Sequence, residues 1–162
     1  MPQTYTPIAS TTLTSAVSFC TFSSISSAYT DLVLVVNGTS ATAGDFALQL
    51  GNGSIDTGTN YSMTALYGSG SAASSTRSSN GTAIGTGGFY TAQGTIIINI
   101  MNYSNTTTYK TTINRTNSGD FTQARVGLWR STSAINIIKY GPGDGSNWGV
   151  GTTFVLYGIL KA

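Results

Sequence analysis

The chain has 162 residues, 79 of them Thr, Ser, Asn or Gly, with seven Lys/Arg, five Asp, no Glu, no His and one Cys. Without His, the usual general base and the commonest metal ligand are both missing. One Cys closes no internal disulfide or thiolate zinc site, and a net charge of +2 gives no footprint for nucleic acid or anionic lipid.

At this length one domain over residues 1–162 is expected. Helix formers are scarce, while β-branched and aromatic residues are plentiful, so the expected structure is all-β. In chain order, segment 12–22 (TLTSAVSFCTF) reads as a first strand, with Cys20 in phase with Phe22 and packing as a small hydrophobe. Segment 30–36 has Leu32, Leu34 and Val36 on one face and Val33 and Val35 on the other, the pattern of a central strand. Segment 45–50 alternates Phe46, Leu48 and Leu50, and segment 61–67 alternates Tyr61, Met63, Ala65 and Tyr67. Residues 68–81 (GSGSAASSTRSSNG) read as a low-complexity loop whose single charge is Arg77. A short strand at 88–91 precedes 94–101, where Ile96, Ile98 and Ile100 are in phase.

Segment 108–115 is a weaker strand. Segment 121–130 sets Val126 and Leu128 against Arg125 and Trp129 on a strand suited to a core, so Arg125 and Arg130 are expected to guard an edge or to pair with Asp across a subunit contact. Segments 134–140 and 152–160 complete the set, separated by a second long loop, 141–151 (GPGDGSNWGVG), that carries Asp144 and Trp148. The first and last segments both read as strands, which leaves few residues spare at either end. Asn37-Gly38, Asn52-Gly53 and Asn80-Gly81 supply turns. Many short strands with Gly-rich turns predict an antiparallel β-sandwich, jelly-roll-like, of about 8–10 strands.

No catalytic constellation emerges. Ser is abundant but has no His to activate it, Lys110, Lys139 and Lys161 are scattered, and Asp31 reads as a turn residue. No cofactor is expected. Loop 52–60 offers Asn52, Asp56 and Asn60 to a Ca²⁺ ion, but one carboxylate is thin for that, and Asx side chains bonding local backbone explain it better. Seven Asn-x-Ser/Thr sequons follow from the Ser/Thr content, and residues 1–20 show no export signal. The longest apolar run, Leu32 to Val36, is far short of the ~20 residues that span a bilayer, so no membrane insertion is expected. The candidate surface contacts are Trp148, Asp144 and Arg77, with Trp148 also able to cap the end of the sandwich. Tyr61 and Tyr157 are expected in the core.

Several stretches carry a resemblance: YTPIASTTLTSAVSFCTFSSI (5–25), AYTDLVLVVNG (28–38), GTNYSMTALYGSGSAASS (58–75), NIMNYSNTTTYKTT (99–112), VGLWRSTSAINII (126–138) and TTFVLYGIL (152–160). They resemble small β proteins of tailed bacteriophages, the tail-fibre-like and capsid decoration modules of cyanophage type. NGSIDTGTNYS looks like that family's Asn-Gly-Asp-Thr-Gly loop with residues inserted. The resemblance implies a non-enzymatic virion-surface protein made in the host cytoplasm, without catalytic or ligand residues to carry over. It implies a homo-oligomer, a trimer by analogy, whose partners are tail or major capsid proteins and, for a receptor-binding module, a host glycan or surface protein. The tail-fibre reading rests on loops 68–81 and 141–151. The alternative is a trimeric cement protein that braces the head.

Overall fold

The computed structural model describes residues 4–42, 44–89, 93–119 and 121–160. Among them there are thirteen strands and no helix: β1 (Tyr5–Thr12), β2 (Cys20–Phe22), β3 (Asp31–Gly38), β4 (Phe46–Asn52), β5 (Ser54–Ile55), β6 (Tyr61–Gly68), β7 (Ala73–Gly81), β8 (Ile84–Gly85), β9 (Gly94–Met101), β10 (Lys110–Ser118), β11 (Phe121–Trp129), β12 (Ile137–Pro142) and β13 (Thr153–Ile159). Eight form one antiparallel sheet in the order β1-β13-β3-β9-β10-β11-β6-β7. The second sheet runs β2-β12-β4-β5, with β8 also paired to β4. The antiparallel sandwich expected from the alternation is the one found, with more strands because short pieces and an edge strand add to the count.

One half of the interior is apolar. Leu32, Leu34 and Val36 of β3, Ile96, Ile98 and Ile100 of β9, and Phe154 and Leu156 of β13 point to Leu48, Leu50 and Ile138 of the smaller sheet, and all are buried. Period-two side chains on neighbouring strands therefore line one continuous core. The other half is polar. The inward residues of β10 are Lys110, Thr112, Asn114 and Thr116, and those of β11 include Gln123 and Arg125, all buried. Burial lowers the pKa of Lys110, whose ammonium donates to the carbonyls of Thr108 and Thr132 at 2.8 and 3.2 Å.

Arg125 ties the two sheets together. Its guanidinium donates twice to Asp45, just before β4, at 2.9 and 2.7 Å, and its Nε donates to Gln123 at 2.8 Å. Neither an edge guard nor an intersubunit pair is found: Arg125 lies inside and its Asp belongs to the same chain. The reason is that β11 turns the face with Gln123, Arg125, Gly127 and Trp129 inward and leaves Val126 outside. Gly127 permits this, because a Cβ there would lie 2.4 Å from Ile84 of β8. Arg130 instead donates to the Thr59 carbonyl and to Asn80.

Other segments also depart from expectation. The first strand runs over 5–12 rather than 12–22, and only Cys20–Phe22 pairs again, in the other sheet. Edge strand β1 has a single neighbour, carries Pro7 and is bulged between Pro7 and Ala9, so its alternation is weak. Residues 73–81 are not loop but strand β7, after a turn closed by Ser69 N–H to the Ala72 carbonyl at 3.0 Å. Gly88 and Phe89 of the expected short strand are not in a strand, and residues 90 and 91 lie outside the described residues.

Two contrasts test this interior. Removing Asp45 strands a buried guanidinium, whereas replacing Arg125 removes the charge itself. We therefore expect Asp45→Ala to destabilise by about 2 kcal/mol or more, and Arg125→Met by less, in urea unfolding. The Thr112 hydroxyl is buried without a hydrogen-bond partner, whereas that of Thr86 lies 2.8 Å from the Tyr140 hydroxyl. Thr112→Val should raise stability by about 1 kcal/mol and Thr86→Val lower it by about 1–3 kcal/mol.

Candidate functional site

The three candidate contact residues do not form one site. Trp148 is 0% exposed. Its ring lies 4.2 Å from that of Phe46 and packs edge-on against Phe89 and Phe154 at 6.1 and 5.1 Å. Its backbone pairs with Ser40 and donates to the Val17 carbonyl at 2.9 Å. Trp148 is thus a core cap and not a surface contact: four aromatic neighbours, including Tyr140, offer its ring more apolar contact inside than solvent would.

Asp144 is at the surface of the same loop. It accepts from the Thr42 hydroxyl at 2.9 Å and from Ser146 N–H at 3.0 Å. The backbone bond from Ser146, then the side chains of Ser146 and Thr42, hold its pKa below the usual carboxylate range. It braces loop 141–151 against residues 39–42. Arg77 sits on edge strand β7, opposite Thr64 of β6, beside a groove that Val126 and Leu128 also line.

Loop 52–60 is built around its carboxylate rather than around a cation. Asp56 accepts from Trp129 Nε1 at 2.7 Å, Asn60 Nδ2 at 2.9 Å and Gly58 N–H at 2.8 Å. The Trp129 bond foremost lowers its pKa. With N–H donors on both oxygens, the carboxylate closes the turn and fastens it to the end of β11. Tyr61 completes the clamp: its hydroxyl donates to the carbonyls of Leu50 and Asp56, and burial pushes its pKa to about 12. Asp31, likewise, accepts from Asn102 N–H at 2.6 Å. Among the described residues no group of three or more His, Cys, Asp or Glu could hold a metal ion. Cys20 is buried, and its thiol pKa rises to about 11 for that reason. Tyr157 is not in the core but half-buried on the opposite face of β13, edge-on to Tyr5 at 6.2 Å.

The surface that sequence reasoning missed is the outer face of the eight-stranded sheet. Leu66 is 62% exposed, Val126 52%, Met101 42% and Ile113 37%. The registers place Leu66, Val126 and Ile113 in two rows across the strands, with Met101 beside the second row at the end of β9. One runs Leu66, Ala124, Arg115, Ile97, Val35, Val155, and the other Val126, Ile113, Asn99, Val33, Tyr157. A shallow groove of about 800 Å³ follows the first row over Leu66, Ala73, Ile97, Arg115 and Ala124. An outward sheet face is ordinarily polar, so this band, apolar apart from Arg115 and Asn99, is the unusual feature of the surface. The Val33/Val35 side of β3 was its only legible sign.

No protein-family model matches the chain, and the curated proteins contain no match to it.

The Asp56 clamp is testable by pH. Its folded pKa lies below the unfolded value, so its stabilisation is fully present above about pH 4 and is lost as pH falls through the folded value. We expect Asp56→Asn to cost about 1.5–3 kcal/mol at neutral pH, and to flatten the loss of stability below about pH 4 in acid titrations followed by Trp fluorescence.

Proposed function

We propose that this chain is a non-enzymatic structural protein of a tailed-phage virion surface that works by packing against other protein subunits. The observation that carries the reading is the apolar outer face of the larger sheet, which suits a protein contact and not a reaction. The four carboxylates within the described residues support it as well: Asp31, Asp45, Asp56 and Asp144 are all committed to structural hydrogen bonds. The resemblance to phage tail-fibre-like and decoration modules supplies the virion setting and, by analogy, a homo-oligomer.

Two placements on the particle share this chemistry. A receptor-binding tail module needs contact loops, and here Asp144 and Arg77 remain at the surface while Trp148 does not. Residues 73–81 also belong to a sheet edge rather than to a free loop. A decoration protein needs a broad face to brace against neighbours, and the outer face is one. The geometry favours decoration of the head, with the tail-fibre module as the second reading.

Quantitative mass spectrometry of purified virions discriminates between them. A copy number comparable to that of the major capsid protein is the expected result. A few per cent of that number would move the protein to the tail, and absence from the particle would overturn both placements.

A further inference from the structure

We infer that the outer face of the eight-stranded sheet binds a second copy of this chain across a two-fold axis through Asn99, with Arg115 of each copy set against the partner's Asp31. The inference rests on the proposed function's reading of the outer face as a protein contact and names a second copy of this chain as the subunit it meets, and it is tested on the isolated protein.

The area is right for such a pair. Six central strands, about 4.8 Å apart and about seven residues long, span roughly 700 Å², close to the ~800 Å² per partner of a standard stable interface. The band presents exposed Leu66, Val126, Ile113 and Met101, with Arg115 between Ala124 and Ile97 as the charge within the rows.

One acid and one base on either side of the centre of the face make it self-complementary, which favours a second copy as the occupant. On the strands that carry the two rows, the charged outward residues are Asp31 on β3 and Arg115 on β10, while Arg77 stands apart on edge strand β7. Val33 of β3 and Ile113 of β10 both pair with Asn99 of β9. Asp31 lies two residues before Val33, and Arg115 two residues after Ile113, on parallel-running strands either side of β9. The two charges are therefore related by inversion of position about Asn99. A two-fold axis lying in the interface through Asn99, perpendicular to the line between them, sets each arginine over the partner's Asp31 and brings Ile97 and Ile113 of each copy near the partner's Val33 and the partner's Met101. Arg115 also donates to Asn99 at 3.2 Å, which keeps it on this face. A residue-for-residue symmetric contact of this kind is the isologous arrangement of two-fold dimers, and it sets the pair apart from the three-fold assembly given by analogy. Charged partners across an interface fix register, and like charges brought together oppose it.

Sedimentation velocity of the purified full chain tests this across micromolar concentrations. The expected result is a dimer. Ile113→Glu with Val126→Glu, at positions already solvent-exposed, should weaken dimerisation at least tenfold while circular dichroism and the thermal midpoint of the monomer stay unchanged. Arg115→Asp alone should weaken it similarly, and Arg115→Asp combined with Asp31→Arg should restore it. A monomer at all concentrations, a trimer, or a dimer indifferent to both the Ile113/Val126 variant and the charge exchange would each overturn the inference. None of these results alters the virion copy number, so the two readings fail separately.

Discussion

A sheet eight strands wide has two faces to keep from water, and the second sheet of this chain is built from shorter strands and covers part of one. The rest of the structure follows from that mismatch. Where β4 and β12 lie against β3, β9 and β13, the interior is aliphatic and aromatic, closed at one end by Trp148. Where β10, β11 and β6 extend beyond them, short β8 reaches across to β6 and β11. The inward side chains of β10 are Lys, Thr and Asn, those of β11 include Gln and Arg, and edge strand β7 is exposed along almost its whole length. On the far side, none of the described residues covers Leu66, Val126, Met101 and Ile113.

The polar half of the interior stands because its strongest donor is matched. A buried guanidinium offers five N–H groups, and two carboxylate oxygens and one amide oxygen receive most of them. Asp45 sits at the entrance to β4, so this bond joins the sheets where apolar packing is thinnest. The same economy governs the other carboxylates. With five Asp in the chain, a local turn or clamp takes each one described, which leaves the surface nearly uncharged and allows an apolar face to approach another closely.

Strands with one clear apolar face were legible from alternation alone: β3, β4, β6, β9 and β13 fall within a residue or two of their expected places. Where polarity does not alternate, the signal fails. β7 is wet on both faces, so Ser and Thr in succession look the same as loop. β11 misled for the opposite reason. Both its faces contain large residues, and an apolar-inward rule chose Val126 and Leu128, whereas Arg125 and Trp129 point inward because each has a partner there. Trp148 shows the same limit. Its Gly-rich neighbours speak for a surface loop, but four rings form its pocket, and two of them, Phe46 and Phe89, come from distant parts of the chain.

The edges of the large sheet show why assembly would proceed through its face. An open edge offers unpaired N–H and C=O groups to any other strand, and proteins blunt such edges with proline, bulges or charge. Here β1 carries Pro7 and a bulge beside it. β7 carries Arg77 at its middle and is thrown out of register against β6 between Tyr61 and Met63. Both ends of the sheet are thus made poor templates for strand addition. The outer face is less protected: its strands are regular from β3 through β6, and Leu66, Val126, Ile113 and Met101 are exposed on it beside Arg115 and several threonines. Closed edges beside an unprotected apolar face direct association to face-to-face packing, which terminates once that face is covered, and not to edge growth, which does not.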